Sequence, residues 1–339
     1  LGKTPDCPAP RETSREPEKN MIHEAKKFIR IVSDYLLAED RKIDFNIYTK
    51  PPKSNRPILL IAANTNIADI KTTLARKSHG PLFITQESAQ KFENFMEDSL
   101  GSIIKNADIP LEQKSSVVHA CAKNIIRDVF DDPRSGRNIS RAKNITSNIL
   151  ELTLADTQSI RHLLHLGSHD YYTFSHCVNV AVFGVGLWLM ISKDDNTKLH
   201  DFALGCILHD VGKSQIVDSI LNKPGKLDYE EFEIIKKHPG QGHWLMAKHV
   251  SEITLDVILH HHEKINGQGY PHGLKGDQIS DNAKIATIAD VYDALTTRRP
   301  YAGARRPLSA LTLMKEEMTG HFEQKRFEDF ILFLGGRSA

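Results

Sequence analysis

Residues 207–213 read ILHDVGK and close an apolar run, Phe202, Ala203, Cys206 and Ile207, whose spacing predicts a buried helix. An imidazole and a carboxylate, His209 and Asp210, thus stand at the end of a segment that burial would otherwise fill with apolar groups. Both are costly to bury without partners, so something must compensate them. Adjacent helical residues point roughly 100° apart. A long imidazole and a short carboxylate can still converge on an ion lying off the helix end, where Gly212 opens the last turn. Asp210 has two oxygens and can bridge two ions. Lys213, a turn further on, can present its ammonium to the same place and neutralise a substrate phosphate.

Outward from this stretch the histidines thicken: 13 of the 17 lie between His162 and His272. Most lone helical histidines are packed or capped side chains, and His162, His165, His169, His200, His243 and His249 are read that way. His176 begins the apolar helix SHCVNVAVFGVGLWLM, and His238 ends the amphipathic EEFEIIKKHPG, where Pro239 bars further regular helix. His260, His261 and His262 precede a glycine-rich turn in HHHEKINGQGYP. Asp290 follows Ile285, Ala286 and Ala289 on another strongly apolar helix, where an unpaired carboxylate would again be costly. Together His176, His209, Asp210, His238, one or two of His260 to His262, and Asp290 exceed what one tetrahedral zinc needs. They suggest two ions sharing a carboxylate.

The chain of 339 residues has room for two cores, and 44 Lys plus Arg against 43 Asp plus Glu leave no basic field for bulk nucleic acid or an acidic membrane surface. The four cysteines are scattered without a C-x-x-C pair, which fits a reduced, cytoplasmic setting. The longest apolar run, Val178 to Ile191, would extend only about 21 Å as a helix, short of a bilayer's roughly 30 Å core. Residues 1–20 read as a disordered leader or tag. Residues 21–109 alternate short β-rich runs (43–49, 56–62, 80–85) with helical patterns (66–77, and 87 towards 104), as in a small α/β regulatory or partner-binding domain. Connecting helices follow over 110–165, including a long helical pattern from about 140 to 165. Helix after helix then runs from 166 to 334. The fold class expected is mainly α, with a C-terminal all-helical bundle and a smaller N-terminal α/β domain.

Four stretches carry a family resemblance: HDVGK (209–213), KKHPGQG (236–242), HHEKINGQGYP (261–271) and ADVYDALTTRRPY (289–301). In this order and spacing they resemble the HD-GYP domains, a branch of the HD phosphohydrolase superfamily that hydrolyses the second messenger cyclic di-GMP. The resemblance covers roughly residues 170–313. It implies an HD-type bundle in which His176, His209, Asp210 and Asp290 bind one metal and Asp210, His238, His261 and His262 the other, leaving His260 over. It further implies that Lys213 lies near the scissile phosphate, that Arg299 contacts nucleotide phosphates, and that Tyr270 faces the substrate from a turn that Gly267 and Gly269 keep tight and open.

The departures are local. Tyr172 stands where some members carry a glutamate for a third metal, which favours a binuclear site; Asn266 replaces the usual aspartate; Ala302 replaces a basic residue, with Arg305 and Arg306 nearby. The resemblance implies metal-dependent hydrolysis of cyclic di-GMP to pGpG or GMP, with two divalent ions, iron or manganese before zinc. Two alternatives stand beside it: a catalytically weak receptor for the same ligand, and a hydrolase of cyclic GMP-AMP. A signalling protein docked on the N-terminal domain or the Gly-Tyr-Pro loop, and a homodimer, are the partners it admits.

Overall fold

The structure, a computed structural model, describes residues 28–31, 36, 42–50, 56–75, 80–167, 173–192, 196–297 and 303–336. The expected leader and the positions His169, Tyr172, Arg299 and Ala302 lie outside the described residues. The fold is mainly helical, with a small N-terminal sheet ahead of an all-helical bundle.

Strands β1 (Phe28–Ile31), β2 (Ile47–Thr49), β3 (Ile58–Ile61) and β4 (Leu82–Thr85) pair antiparallel in the order β1-β4-β2-β3, with α1 (Ile67–Ala75) between β3 and β4. The three strands expected from period-two patterning are present. β1, only four residues long, was not foreseen. Ile47, Ile61, Leu82 and Ile84 are buried together with Ile70 and Leu74 of α1, which is how so small a sheet acquires a core.

The helical pattern from 87 divides at Ser99 into α2 (Ala89–Asp98) and α3 (Leu100–Lys105); the Ser99 hydroxyl donates to the Phe95 carbonyl at the break. The pattern from 140 to 165 likewise divides, into α5 (Gly136–Ala155) and α6 (Gln158–Gly167), because the Asp156 carboxylate accepts the Gln158 N–H and turns the chain. α4 (Leu111–Asp131) runs beside both. Arg141 of α5 binds Glu97 of α2 and Asp128 of α4 at 2.8 and 2.7 Å, tying the segment after the sheet to the bundle.

The bundle is built around α7 (Thr173–Ile191), which is apolar on every side. By length and hydropathy it could cross a membrane. Instead most of it is buried against α4, α6, α8 (Leu199–Leu208) and α13 (Asp281–Thr296), as an all-round hydrophobic helix in a large core should be. Between α8 and α13 the chain forms a one-turn 3-10 segment at Val211–Gln215, then α9 (Asp218–Leu221), α10 (Tyr229–Ile235), α11 (His238–Met246) and α12 (Glu252–His260). Asp228, Ser251 and Ser280 cap α10, α12 and α13 with their side-chain oxygens. After α13 come α14 (Pro307–Glu316) and α15 (Gln324–Leu334). α15 was not singled out from the sequence; its Phe330 packs edge-on against Phe183 and Tyr292.

One expectation is corrected here. His238 does not end the helix 229–235; it opens α11, with Pro239 in the first turn. A first-turn proline has no N–H that the helix would use, so Pro239 starts a helix where the sequence reading made it a barrier.

Candidate metal centre

Five imidazoles and two carboxylates from α7, the end of α8, the start of α11, the end of α12 and the middle of α13 meet in the bundle. Asp210 is at the centre and is almost wholly buried. Its Oδ2 faces His209 Nε2 at 3.4 Å and His176 Nε2 at 3.9 Å, and its Oδ1 faces His238 Nε2 at 3.3 Å and His261 Nε2 at 3.9 Å. Asp290 lies opposite, with Oδ1 3.1 Å from His176 Nε2 and Oδ2 3.6 Å from His262 Nδ1. Two groups of donor atoms result, one of His176, His209 and Asp210, the other of Asp210, His238, His261 and His262, each within 4.8 Å. Asp210 belongs to both, one oxygen toward each.

Four of the five rings are aimed from behind. His209 Nδ1 is 2.7 Å from the Cys206 carbonyl, His238 Nδ1 2.7 Å from that of Ile235, and His261 Nδ1 2.9 Å from that of Ile258. A carbonyl can only accept, so Nδ1 carries the proton and Nε2 presents its lone pair inward. His176 is held differently: its Nδ1 is 2.6 Å from Asp293 Oδ2, whose other oxygen accepts from Asn179 and Thr297. Asp293 was missed in the sequence. The argument applied to Asp290, a carboxylate on an apolar helix, held equally one turn later.

The electrostatics suit cations. Although burial opposes charge, Lys213, at 2.5 Å, and His209 hold the Asp210 carboxyl well below its ordinary value. Asp290 is likewise held low against burial by His176 and His262. Burial pushes His238 and His261 down and His262 down to about 3, so all three stay neutral, the form that ligates metal. Burial also opposes charge on His176, but its hydrogen bonds with Asp290 and Asp293 outweigh this and raise it to about 9. His209 Nε2 and Asp210 Oδ1, one in each donor group, are buried without a hydrogen bond, which an apolar interior would not tolerate and a cation in each group would explain. The donor set therefore fits divalent metal.

Gly212 brings the two halves together. A Cβ there would lie 2.0 Å from the His238 carbonyl oxygen and 2.6 Å from the Gly242 nitrogen, so α11 can approach the His209–Asp210 turn only because residue 212 has no side chain. Its φ is not positive, so close approach and not an opened helix turn is its role.

His260 turns away from the cluster toward Asp256, 2.8 Å off, and His272, 3.3 Å off. Beyond it, Glu263 is fully buried and its two oxygens accept the backbone N–H groups of His272 and Leu274, at 2.7 and 3.0 Å. This carboxylate, also unremarked in the sequence, pins the glycine-rich loop. Gly267 adopts φ +79°, and a Cβ on Gly269 would meet the Lys264 nitrogen at 2.4 Å. The tight turn lays the Tyr270 ring on His262, centroids 4.7 Å apart.

Residues 189–325 match the HD domain family. The chain is 34% identical over 236 residues to the cyclic di-GMP phosphodiesterase PA4108 of Pseudomonas aeruginosa, covering 68% of this chain and 56% of that protein. It is 39% identical over 150 residues to the 3'3'-cGAMP-specific phosphodiesterase 3 of Vibrio cholerae, covering 43% and 32%. It thus spans about half the length of the first relative and a third of the second. Among solved structures, the HDG"Y"P protein Bd1817 of Bdellovibrio bacteriovorus shares the fold over 91% of this chain and 99% of its own, with a TM-score of 0.63 at 19% identity. The helical bundle of this chain thus carries an HD domain over residues 189–325.

Proposed function

We propose that the chain hydrolyses a 3′,5′-phosphodiester bond of cyclic di-GMP at a site for two divalent ions. The observation that carries this reading is the division of Asp210 between two sets of imidazoles, one oxygen to each. His176, His209, Asp210 and Asp290 would hold one ion; Asp210, His238, His261 and His262 would hold the other. Such a pair supplies Lewis acidity toward a phosphoryl oxygen and a water of lowered pKa. The protein's own residues do the rest. The Lys213 ammonium, partly exposed at the rim, offsets charge that develops on the phosphate as water adds and the ester oxygen leaves. Tyr270, held over His262, faces the substrate, and Gly267 and Gly269 keep the loop out of its way. Arg299 is assigned to the nucleotide phosphates on the family resemblance. The products are linear pGpG and, after a second cleavage, GMP.

An imidazole-rich set with bridging carboxylate suits iron or manganese, with zinc next. Cys121, Cys177 and Cys206 are buried free thiols, in keeping with a reducing, cytoplasmic setting. A second reading, hydrolysis of cyclic GMP-AMP, is favoured by the likeness to a cGAMP-specific relative. One experiment tests both: metal-loaded protein is incubated with each dinucleotide and the products separated by chromatography. Linear product from cyclic di-GMP, abolished by Asp210→Ala, is expected. Tight binding without product would make the chain a receptor, and undiminished turnover by the Asp210→Ala protein would overturn the metal-dependent reading.

A further inference from the structure

Beside the metal centre lies a cavity of about 430 Å³ lined by Lys236, Lys237, Gly240, Gln241, Trp244 and Pro271. That is within the size of small-molecule sites, roughly 300–1,000 Å³. The cavity borders the loop that carries Tyr270. Lys237 immediately precedes His238, Pro271 immediately follows Tyr270, and the Lys236 ammonium lies 5.9 Å from the Tyr270 ring while also bonding Glu233.

Two features of its wall have no other account in the fold. Trp244 is 64% exposed, an unusual state for the largest apolar ring. Arg134 lies over that ring at 4.5 Å and holds it in place from the α4–α5 connection. Gly240 sits inside α11 with an ordinary helical φ, and a Cβ there would meet nothing within 4 Å. Neither strain nor crowding requires a glycine at a position where one weakens the helix. What its absent side chain does is keep the floor of the cavity open.

We infer that this cavity is a base subsite: a purine of the cyclic dinucleotide stacks on Trp244 over Gly240, beside the cationic side chains of Lys236 and Lys237. Lys237, Gly240, Gln241 and Trp244 recur at helical spacing along one side of α11, so the helix that begins with the metal ligand His238 continues into the surface that reads the base. A flat, sequence-tolerant aromatic platform beside cationic side chains is the chemistry that holds nucleobases elsewhere. The inference rests on the cyclic dinucleotide reading of the metal site and extends it to the substrate's other end.

The chain has two tryptophans, Trp188, buried and stacked on Phe202, and Trp244, so the protein's own fluorescence reports the subsite. The metal-loaded protein is titrated with cyclic di-GMP, following emission and turnover, and compared with Trp244→Ala and Gly240→Leu; the leucine enters the open space that a Cβ at 240 meets. Quenching is expected in the unaltered protein, together with a rise in KM of about tenfold in either variant, the usual scale of a lost base–aromatic stack. Turnover by both variants at unaltered KM would overturn the subsite and leave the hydrolase reading standing. Quenching without hydrolysis would uphold the subsite and remove the hydrolase. Absence of both would remove the two together.

Discussion

His176 and Asp293 are joined by a 2.6 Å hydrogen bond across 117 residues of sequence, so that this inward-facing imidazole is aimed by a carboxylate where His209, His238 and His261 are aimed by backbone carbonyls. The bond fixes the ring with Nε2 toward Asp210 and Asp290. Carboxylates that hold a metal-ligating histidine in this way typically govern affinity by about 10- to 100-fold. Asp293→Ala is therefore expected to weaken metal binding by that factor, measured by chelator competition, with circular dichroism showing the helices intact. Unchanged affinity would confine Asp293 to helix packing.

The metal-free protein should be most stable near pH 6.5. His176, raised from 6.5 to about 9, stabilises the fold fully below 6.5 and progressively less as pH climbs to about 9. His262, lowered from 6.5 to about 3, works in the opposite sense: below 6.5 the unfolded chain takes up a proton that the folded chain refuses, so stability falls toward acid. His238 and His261 are lowered too and steepen the acid limb, and below the ordinary carboxylate range Asp210 and Asp290 add their loss. Thermal unfolding in excess chelator between pH 4 and 9.5 is expected to show a maximum with the steeper side in acid. A midpoint flat from pH 5 to 8 would contradict it.

The site was legible in the sequence because its chemistry conflicts with its surroundings: His209, Asp210 and Asp290 are polar groups on apolar helices, and that conflict marks them without a structure. The same test, applied evenly, marks Asp293 on the apolar helix α13, but not Glu263, which lies past the end of α12 between His262 and Lys264. Residues that work by having no side chain gave weaker signals. Gly212 reads as a helix end, and only the approach of the His238 carbonyl shows that it is a contact. Pro239 carried an ambiguous signal, since proline both stops helices and starts them, and the tertiary position of His238 decided between the two. The strand β1 and the exposed Trp244 are set by what packs or fails to pack against them, which no local pattern records.

Gly212→Ala should separate the two halves of the centre. The new methyl would overlap the His238 carbonyl, and overpacking of this kind typically costs about 1–3 kcal/mol. α11 must retreat, carrying His238 away from Asp210, so the second ion is lost before the first. Elemental analysis is expected to fall from two metals per chain toward one, with a lowered unfolding midpoint. Retention of both metals and of turnover would show that the backbone accommodates a side chain at 212.

Glu263 should separate loop order from metal binding. Its carboxylate is buried yet contacts no ligand; it accepts the N–H groups of His272 and Leu274, closing the loop whose tip places Tyr270 on His262. Hydrogen bonds to a charged group contribute about 1.5–3 kcal/mol each to stability. In Glu263→Gln the amide can accept through only one of its two ends, so one loop N–H loses its partner, while in Glu263→Ala both do. His209, His238 and His261 keep their carbonyl supports and His176 its bond to Asp293 in either variant, and metal content should stay at its original value. The loop, and Tyr270 with it, should loosen, so KM for cyclic di-GMP is expected to rise stepwise from glutamine to alanine, with backbone exchange at residues 264–275 accelerating in the same order. Loss of metal in the glutamine variant would instead make Glu263 part of the centre's own support.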